Sequence, residues 1–261
     1  MFKNWKLKAQ IVFARLLGKL LAATKPHDGK ILAQQARFET ERKAWLRAGG
    51  VITRDWPITD DWEESAGVAS GQYFHQDLLV AQFVHDHNPA RHLDVGSSVQ
   101  GFVAHVASFR QLDVLDIRTL PPTNHPNIQF NRSDLQELSP EVNYDSISCL
   151  HALEHFGLGR YGDAIDPLGH LKGLDNLVNS LDPLGRLYLS FPIAGESRVD
   201  FNAHRVFHPE EPVSWLPQKL KLVRFDYVDD SGDLIKQARP DSIPPLTYGC
   251  GIYTFERLID S

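Results

Sequence analysis

The chain has 261 residues, of which 42% are hydrophobic and 23% charged, and its formal net charge at pH 7 is −6. This balance is ordinary for a globular protein and excludes wholesale disorder. Basic residues concentrate in the first 25 positions and form no stripe elsewhere, so nucleic acid is not an expected partner. Two cysteines, Cys149 and Cys250, are too few for a disulfide framework, and a reducing cytoplasm fits best.

The first segment, residues 2–24, is basic and amphipathic. Its apolar residues recur near helical spacing and all its charges are positive. Arg15 and Lys19 interrupt what would have to be the apolar stretch of a secretory signal, so we expect no cleaved leader. Such a helix can lie peripherally on the cytoplasmic face of the inner membrane, or it can pack on the protein body or on a partner subunit.

Two domains are predicted. Residues 1–71 form a helical extension, with a second helical pattern over 31–48, and residues 72–261 form the main domain, which opens with a helical pattern over 73–87. From there strands and helices alternate, which is typical of a mainly parallel sheet covered on both faces. We therefore predict an α/β, Rossmann-like fold with a seven-stranded sheet and an N-terminal helical extension. The predicted strands are His92–Val95, Leu112–Asp116, Ile128–Asn131, Ser146–Leu150, Arg186–Phe191, Leu220–Tyr227 and Gly251–Arg257.

The first strand leads through a turn of small residues into a helix, with the sequence LDVGSSVQG over 93–101. In a dinucleotide-binding fold the central glycine of GxGxxG lets the backbone approach a pyrophosphate, and Ser98 stands at that position here. A cofactor without phosphates tolerates this serine. S-adenosylmethionine instead carries an amino acid end. Asp94 would attract its ammonium group through ordered water or directly, and the amides around Gly96 would bind its carboxylate. Ser97 and Gly101 complete the predicted cofactor loop.

Acidic residues also follow the next two strands. Asp116 stands where a carboxylate accepts hydrogen bonds from both ribose hydroxyls, and Asp134 could accept from the exocyclic amino group of adenine. Three acids at successive strand ends favour a nucleoside site. The other predicted cofactor contacts are Ile117, Leu135, Leu150 and Tyr73.

Histidines follow the fourth strand. S-adenosylmethionine donates its methyl group by an in-line displacement at that carbon. An enzyme must therefore align the acceptor and, if the acceptor is a hydroxyl, remove its proton. A histidine suits that task near neutral pH. We predict His155 as the base, with His151 and His204 as rivals. Glu154 would orient the base, contact the cofactor or bind the substrate.

Polar residues beside these histidines could hold an acceptor. Arg160, Tyr161 and Asp163 lie on a glycine-containing stretch that could form a lid or an acceptor loop. Asn202 and Arg205 would fall on the same rim, and Arg205 could hold a carboxylate or phosphate with a bidentate fork.

Two patterns could suggest a metal. The sequence HALEH over 151–155 formally matches the HxxEH zinc pattern, but a buried strand runs directly into His151, whereas those ligands need one helix. Asp163 and Asp166 could bind a divalent cation, although solvated loop acids are the expected case. We predict no metal site.

The residues quoted resemble the motifs of class I S-adenosylmethionine-dependent methyltransferases over about 73–257. The sequences LHALEHFGLGRYGD over 150–163 and FNAHR over 201–205 more closely resemble a family catalogued as a domain of unknown function, first noted in nematodes and frequent in bacterial surface-polysaccharide gene clusters. This resemblance implies a methyltransferase fold and a glycan or glycolipid acceptor.

The leading hypothesis is an O-methyltransferase acting on a sugar of a bacterial surface polysaccharide or of its lipid-linked precursor. One alternative is a non-catalytic methyltransferase-like partner in glycan assembly. The other is an NAD-dependent oxidoreductase, against which Ser98 and the lack of a recognisable Tyr-xxx-Lys pair count.

Overall fold

The computed structural model describes residues 26–137 and 143–259. The amphipathic helix predicted at 2–24 lies outside these residues. The chain divides into two compact units, one ending at Val68 and the other starting at Ala69. Within the described residues, no helix combines the length and apolarity that crossing a bilayer requires.

The first unit contains one long helix, α1 (Pro26–Arg47), which begins earlier than predicted because proline is favoured in a first helical turn. The segment that follows folds back along this helix. The Arg42 side chain forms an ion pair with Asp55 at 2.9 Å, and the Arg37 guanidinium lies 4.1 Å from the centre of the Trp62 ring. These contacts hold the tryptophan-containing segment after the helix against it, although that segment shows no periodic pattern in the sequence.

The second unit contains the sheet. Its α-helices are α2 (Gln72–His87), α3 (Ala104–Ala107) and α4 (Gly169–Asn179). A π-helical turn (Val99–Val103) leads directly into α3. Its strands are β1 (His92–Val95), β2 (Leu112–Asp116), β3 (Ile128–Arg132), β4 (Tyr144–Leu150), β5 (Leu181–Ile193), β6 (Arg198–Asp200), β7 (His204–Val206), β8 (Leu220–Val228), β9 (Leu234–Ile235) and β10 (Gly249–Arg257).

The main sheet has eight strands in the order β3-β2-β1-β4-β5-β10-β8-β9, and β6 pairs with β7 separately. The first five strands of that order are parallel, and β10 runs antiparallel to both of its neighbours. Strand order reverses between β1 and β4, and in open α/β sheets ligands bind at such a point. The α/β, Rossmann-like fold is thus confirmed.

The sheet differs from the prediction in having an eighth strand. The short β9 pairs antiparallel with the end of β8 through Tyr227–Ile235 and Val228–Leu234. A tight turn joins them, in which the Asp229 carboxylate accepts hydrogen bonds from the amides of Ser231 and Asp233. Two residues are too few for strand alternation to show in a sequence.

The predicted alternation of strands and helices also fails between β2 and β3. Residues 117–127 contain no helix, and they include Pro121, Pro122 and Pro126. Proline has no amide hydrogen to donate and breaks a helix interior. The connection therefore leaves β3 as a half-exposed edge strand beside the site described below.

Two apolar clusters cover the faces of the sheet. One includes Leu153, Leu177 and Phe191, and the other includes Val80, Phe102 and Ile252, all almost fully buried. The central strands β4 and β5 are therefore held on both sides, which makes their carboxyl ends a firm support for side chains.

Candidate functional site

A cavity of about 560 Å³ opens at the carboxyl ends of β1, β2 and β4. Most of the side chains predicted for cofactor and acceptor line it. These are Tyr73, Gly96, Ser97, Ser98, Asp116, Ile117, Asp134, Leu135, Leu150, His151, Glu154, His155, Arg160, Tyr161, Asp163 and His204. Asp94, Gly101, Asn202 and Arg205 do not line it.

The loop after β1 is shaped by Gly96 and Ser98. Gly96 has a φ of 73°, and a Cβ atom there would lie 2.8 Å from Cβ of Ala152, so a side chain is excluded. Oγ of Ser98 accepts a hydrogen bond from the Gly101 amide at 3.2 Å and caps the following turn. The serine in place of a central glycine thus has a structural reason, and Gly101 contributes to the cap rather than to the cavity wall.

Asp94 supports the loop and does not face the cavity. It is fully buried and accepts hydrogen bonds from the hydroxyls of Ser97 and Ser148, each at 2.6 Å. The Ser97 hydroxyl in turn accepts from the amide of Leu150 at 3.2 Å. Its oxygens thus tie β1 to β4 and lie away from the cavity, so a direct contact of Asp94 with a ligand ammonium has no support in this arrangement.

Burial raises the pKa of Asp94 to about 7 despite its hydrogen bonds. A carboxyl whose folded pKa exceeds its unfolded value favours folding at low pH, and this stabilisation is lost as the pH rises from about 4 through 7. We therefore expect Asp94→Asn to gain unfolding free energy relative to the parent as the pH rises from 5 to 8. Urea unfolding of both proteins at several pH values tests this, and parallel pH curves would contradict it.

The predicted ribose-binding residue, Asp116, is held by an arginine that sequence reasoning missed. One oxygen of Asp116 accepts from the backbone amide and Nε of Arg118 at 2.8 and 2.9 Å, and the other accepts from its guanidinium. The Arg118 guanidinium also lies 4.9 Å from the centre of the Tyr161 ring. A ligand that hydrogen-bonds to Asp116 must therefore share or displace Arg118.

Asp134 also lines the cavity, just after β3. Its Oδ1 accepts a hydrogen bond from the Gln136 amide at 2.9 Å, which fixes the start of the turn. Leu135 and Leu115 add an apolar surface nearby. This part of the cavity combines a carboxylate with apolar walls, as a planar base requires.

Three titratable groups, the buried Glu154 and the half-buried His151 and His155, meet at the end of β4. Nδ1 of His151 lies 3.0 Å from Oε1 of Glu154, and Nε2 of His155 lies 3.8 Å from the same oxygen. Nδ1 of His155 is 2.7 Å from the carbonyl of Ala203, which can only accept, so Nδ1 carries the proton. The lone pair of His155 is therefore on Nε2, the nitrogen nearer Glu154.

Burial lowers the pKa of His155, so the ring is neutral at neutral pH. For His151 burial acts in the same direction, but Cys250 and the Glu154 carboxylate outweigh it and raise the pKa of the ring well above its usual value. His155 is thus suited to accept a proton, whereas His151 is suited to hold one.

Two atoms of this group are buried without a hydrogen-bond partner among the described residues: Nε2 of His151 and Oε2 of Glu154. The side chains are only 6% and 1% exposed. A buried polar atom without a partner costs about 1–3 kcal/mol. The Cys250 thiol also interacts with the His151 ring, so Oε2 of Glu154 is the atom of this group that most needs a further partner.

Aromatic rings surround the histidines. Tyr73 packs on His151 with ring centroids 4.8 Å apart, and Tyr161 packs edge-on against His155 at 5.6 Å. His204, whose Nε2 is 3.3 Å from the hydroxyl of Tyr248, completes this wall. Tyr248 carries no motif and comes from the approach to β10, so only the fold could place it here.

The loop over 157–166 is organised by Asp163. Its carboxylate accepts from the amides of Gly157, Gly159 and Tyr161 at 2.8 to 3.2 Å. Asp163 thus shapes the loop that presents Tyr161 and Arg160. Over the part of the chain described, no cluster of three histidine, cysteine or acidic side chains could hold a metal ion.

Arg205 and Asn202, both predicted to hold an acceptor, do not line the cavity. Arg205 is 5% exposed, and its guanidinium donates to the carbonyls of Glu154 and Phe156 at 3.2 and 2.7 Å and of Pro167 at 3.2 Å. The fork predicted to grip an anion instead supports the loop that carries the histidines. Asn202 is exposed and lies outside the cavity wall.

Replacing Arg205 is expected to destabilise the protein. Arg205→Leu leaves several buried carbonyls without a donor, which we expect to lower the unfolding free energy by about 2–4 kcal/mol. The matched control is Arg198→Leu, because Arg198 is exposed and its side chain forms an ion pair with the equally exposed Asp200. Thermal unfolding of the two variants measures the effect, and equal melting temperatures would contradict this role.

Comparison with solved structures identifies the class of fold. The chain is similar to the 1,6-didemethyltoxoflavin-N1-methyltransferase of Burkholderia thailandensis, with a TM-score of 0.52 and 17% identity over 90% of this chain and 92% of that one. It is also similar to an O-methyltransferase of Brevibacillus brevis solved with S-adenosyl-L-homocysteine (TM-score 0.50, 12% identity, 70% and 72% covered). The [4+2]-cyclase SpnF shares the fold too (TM-score 0.53, 13% identity, 82% and 91% covered). The protein therefore has the class I methyltransferase fold, and that fold by itself does not select one reaction.

A family model matches part of the chain. Residues 133–212 match the model of the family described as Caenorhabditis protein of unknown function, DUF268. The matched segment contains the histidine cluster and the loop after it, so the resemblance seen in the sequence is confirmed there. No curated protein matches the chain.

Proposed function

We propose that the protein is an S-adenosylmethionine-dependent O-methyltransferase whose acceptor is a sugar of a bacterial surface polysaccharide or of its lipid-linked precursor. The observation that carries this proposal is the position of His155, whose Nε2 lone pair lies in the wall of the same cavity that holds Asp116. Cofactor-binding and proton-accepting groups thus share one site.

The cavity residues fit S-adenosylmethionine. Asp116 would accept from the ribose hydroxyls, Asp134 and Leu135 would border the adenine, and the narrow turn at Gly96 lets backbone amides approach the amino acid end. Bound S-adenosylmethionine supplies a methyl group that moves from sulfur to an acceptor oxygen, leaving S-adenosylhomocysteine.

The chain's own contribution is to hold the acceptor and take its proton. His155 accepts that proton on Nε2, and its Nδ1–H bond to the Ala203 carbonyl keeps the ring in the reactive tautomer. The rings of Tyr73, Tyr161 and Tyr248 give the acceptor half of the cavity flat apolar surfaces with polar edges, which suit the mixed surface of a sugar.

The N-terminal segment bears on where the enzyme would act. The basic segment 2–24 would bind anionic lipid at the cytoplasmic face of the membrane and bring the enzyme near a lipid-linked acceptor. A protein that binds the cofactor but transfers no methyl group would instead be a partner in glycan assembly.

Calorimetric titration separates the cofactor classes. We expect S-adenosylhomocysteine to bind and NAD to show no heat, because the first turn carries Ser98 as a cap where a pyrophosphate needs a glycine. Binding of NAD alone would favour the oxidoreductase.

Activity is tested with S-adenosylmethionine labelled in its methyl group and a glycan extract of the source cells. Incorporation of label into sugars supports the proposal. Cofactor binding without incorporation into any glycan would overturn the acceptor assignment and favour the non-catalytic partner.

A further inference from the structure

One arginine in the cavity wall, Arg160, has no acid partner among the described residues. The residues that line the cavity include two arginines, Arg118 and Arg160, and no lysine. The Arg118 guanidinium forms an ion pair with Asp116, which balances its charge. Arg160 is exposed and forms no ion pair with an acid in the described part of the chain. Its positive charge is therefore open to a ligand.

The Arg160 side chain is held in place although its charge is not balanced. Its Nη1 donates a hydrogen bond to the carbonyl of Ala203 at 2.8 Å, and the guanidinium lies 5.1 Å from the centre of the Tyr161 ring. Nε and Nη2 make no hydrogen bond with any residue that the structure describes. These two nitrogens form one edge of the planar guanidinium, and such an edge matches two oxygens of one carboxylate or phosphate. Arg160 thus presents an oriented fork to an oxyanion.

This fork lies next to the proposed base. Nη1 of Arg160 is 3.4 Å from Nδ1 of His155, and both nitrogens donate to the carbonyl of Ala203. The Glu154 carboxylate is near the other ring nitrogen, with Oε1 3.8 Å from Nε2. An anion bound to Arg160 is therefore separated from Glu154 by the imidazole ring. A sugar with an anionic group near its reacting hydroxyl can contact Arg160 and Nε2 of His155 together.

We propose that the acceptor carries an anionic group, a carboxylate or a phosphate, and that Arg160 binds it. This inference rests on the proposed methyl transfer and adds the substrate class, an acidic sugar. Arg118 does not offer an equivalent position, because Asp116 already pairs with it. The carboxylate of the cofactor has its own donors in the amides of the turn at Gly96, which leaves Arg160 to the acceptor.

The anionic group is tested by removing it from the glycan extract before transfer. Carbodiimide with borohydride reduces the sugar carboxylates of one portion to alcohols, aqueous hydrogen fluoride removes phosphate from a second, and a third stays untreated. We expect incorporation of label by the parent to fall about 10- to 100-fold in one treated portion, since hydrogen bonds to a charged group contribute that factor. The portion affected identifies the anion. Undiminished incorporation in both treated portions would overturn the inference.

Arg160→Gln assigns the effect to this side chain. Glutamine keeps a donor for the Ala203 carbonyl and has no charge. With untreated extract we expect a loss of about 10- to 100-fold in the rate at limiting acceptor. With the neutralised extract the variant should equal the parent, because both changes remove the same interaction. Arg239→Gln, at an exposed arginine outside the cavity, should behave as the parent with every extract.

Two conditions isolate the charge of Arg160. Transfer is measured at about pH 8, where the His155 ring is neutral with or without the neighbouring guanidinium. Added salt should slow the parent more than Arg160→Gln, because salt screens the attraction between the arginine and the acceptor. Arg160→Lys keeps a positive charge without the fork and should recover part of the rate. Equal salt dependence of the parent and Arg160→Gln would contradict binding of an anion.

Affinity for S-adenosylhomocysteine separates the cofactor from the acceptor. We expect Arg160→Gln to bind it like the parent, and weaker binding would assign Arg160 to the cofactor carboxylate and overturn the inference. An equal loss by Arg160→Gln on untreated and neutralised extracts would also overturn it, while leaving methyl transfer intact. Absence of label with the parent on untreated extract would overturn the proposed function and this inference together.

Discussion

Replacing His155 with alanine is expected to lower the rate of methyl transfer by about 10²- to 10⁴-fold, the usual contribution of a general base. The affinity for S-adenosylhomocysteine should change little, because the ring lies in the acceptor half of the cavity beside Tyr161 and His204. Single-turnover transfer to the glycan extract and calorimetric titration measure the two quantities.

The pH dependence gives a second readout of the same residue. Burial lowers the pKa of His155. The neutral ring, which is the base form, therefore already predominates at pH values just below the usual histidine pKa of about 6.5. The transfer rate of the parent should therefore rise on an acid limb below about pH 6.5 and be level near neutrality, and His155→Ala should lack this limb.

Two further variants make the assignment to His155 falsifiable. His85→Asn is the matched control, because His85 is on α2 with a side chain 67% exposed, and it should transfer at the parent rate. His204→Asn tests the rival base. A large loss with His204→Asn and a small one with His155→Ala would assign the base to His204.

Replacing Asp116 with asparagine is expected to weaken binding of S-adenosylhomocysteine by about 10- to 100-fold. A hydrogen bond to a charged group contributes about 1.5–3 kcal/mol, and one amide oxygen cannot replace both carboxylate oxygens. Calorimetric titration of the variant measures the change, and parent-like affinity would contradict the assignment of Asp116 to the ribose.

The chain offers a matched control on the same strand. Asp113 lies on β2 outside the cavity, where its carboxylate accepts from Arg91 and Tyr144, so Asp113→Asn should bind like the parent. Arg118→Ala removes the guanidinium that hydrogen-bonds to the Asp116 carboxylate. We expect the affinity of this variant for S-adenosylhomocysteine to equal or exceed that of the parent. Weaker binding by this variant would mean that Arg118 itself contacts the ligand.

Several features of the site could be predicted because they are local. The turn after β1, the acid at the end of β2 and the histidines after β4 each follow an apolar strand directly, and parallel strands bring their carboxyl ends to one edge. The predicted strands all occur, with ends shifted by a few residues.

The roles of Asp94 and Arg205 could not be predicted, because the sequence does not show whether a charged side chain faces a ligand or the protein interior. Asp94 is turned inward by the hydroxyls of Ser97 and Ser148, and Arg205 by backbone carbonyls of a loop far away in the chain. Burial and partners decide between a binding group and a supporting one.

The sequence by itself determined the order of the strands along the chain, the small-residue turn after β1 and the cluster HALEH, since each depends on neighbours within a few residues. Only the tertiary structure decided which nitrogen of His155 carries the lone pair and that the Arg118 guanidinium hydrogen-bonds to Asp116. It also decided that Tyr248 lies beside His204 in the cavity wall. These features depend on contacts between residues far apart in the chain, which the packing of the sheet brings within hydrogen-bonding distance.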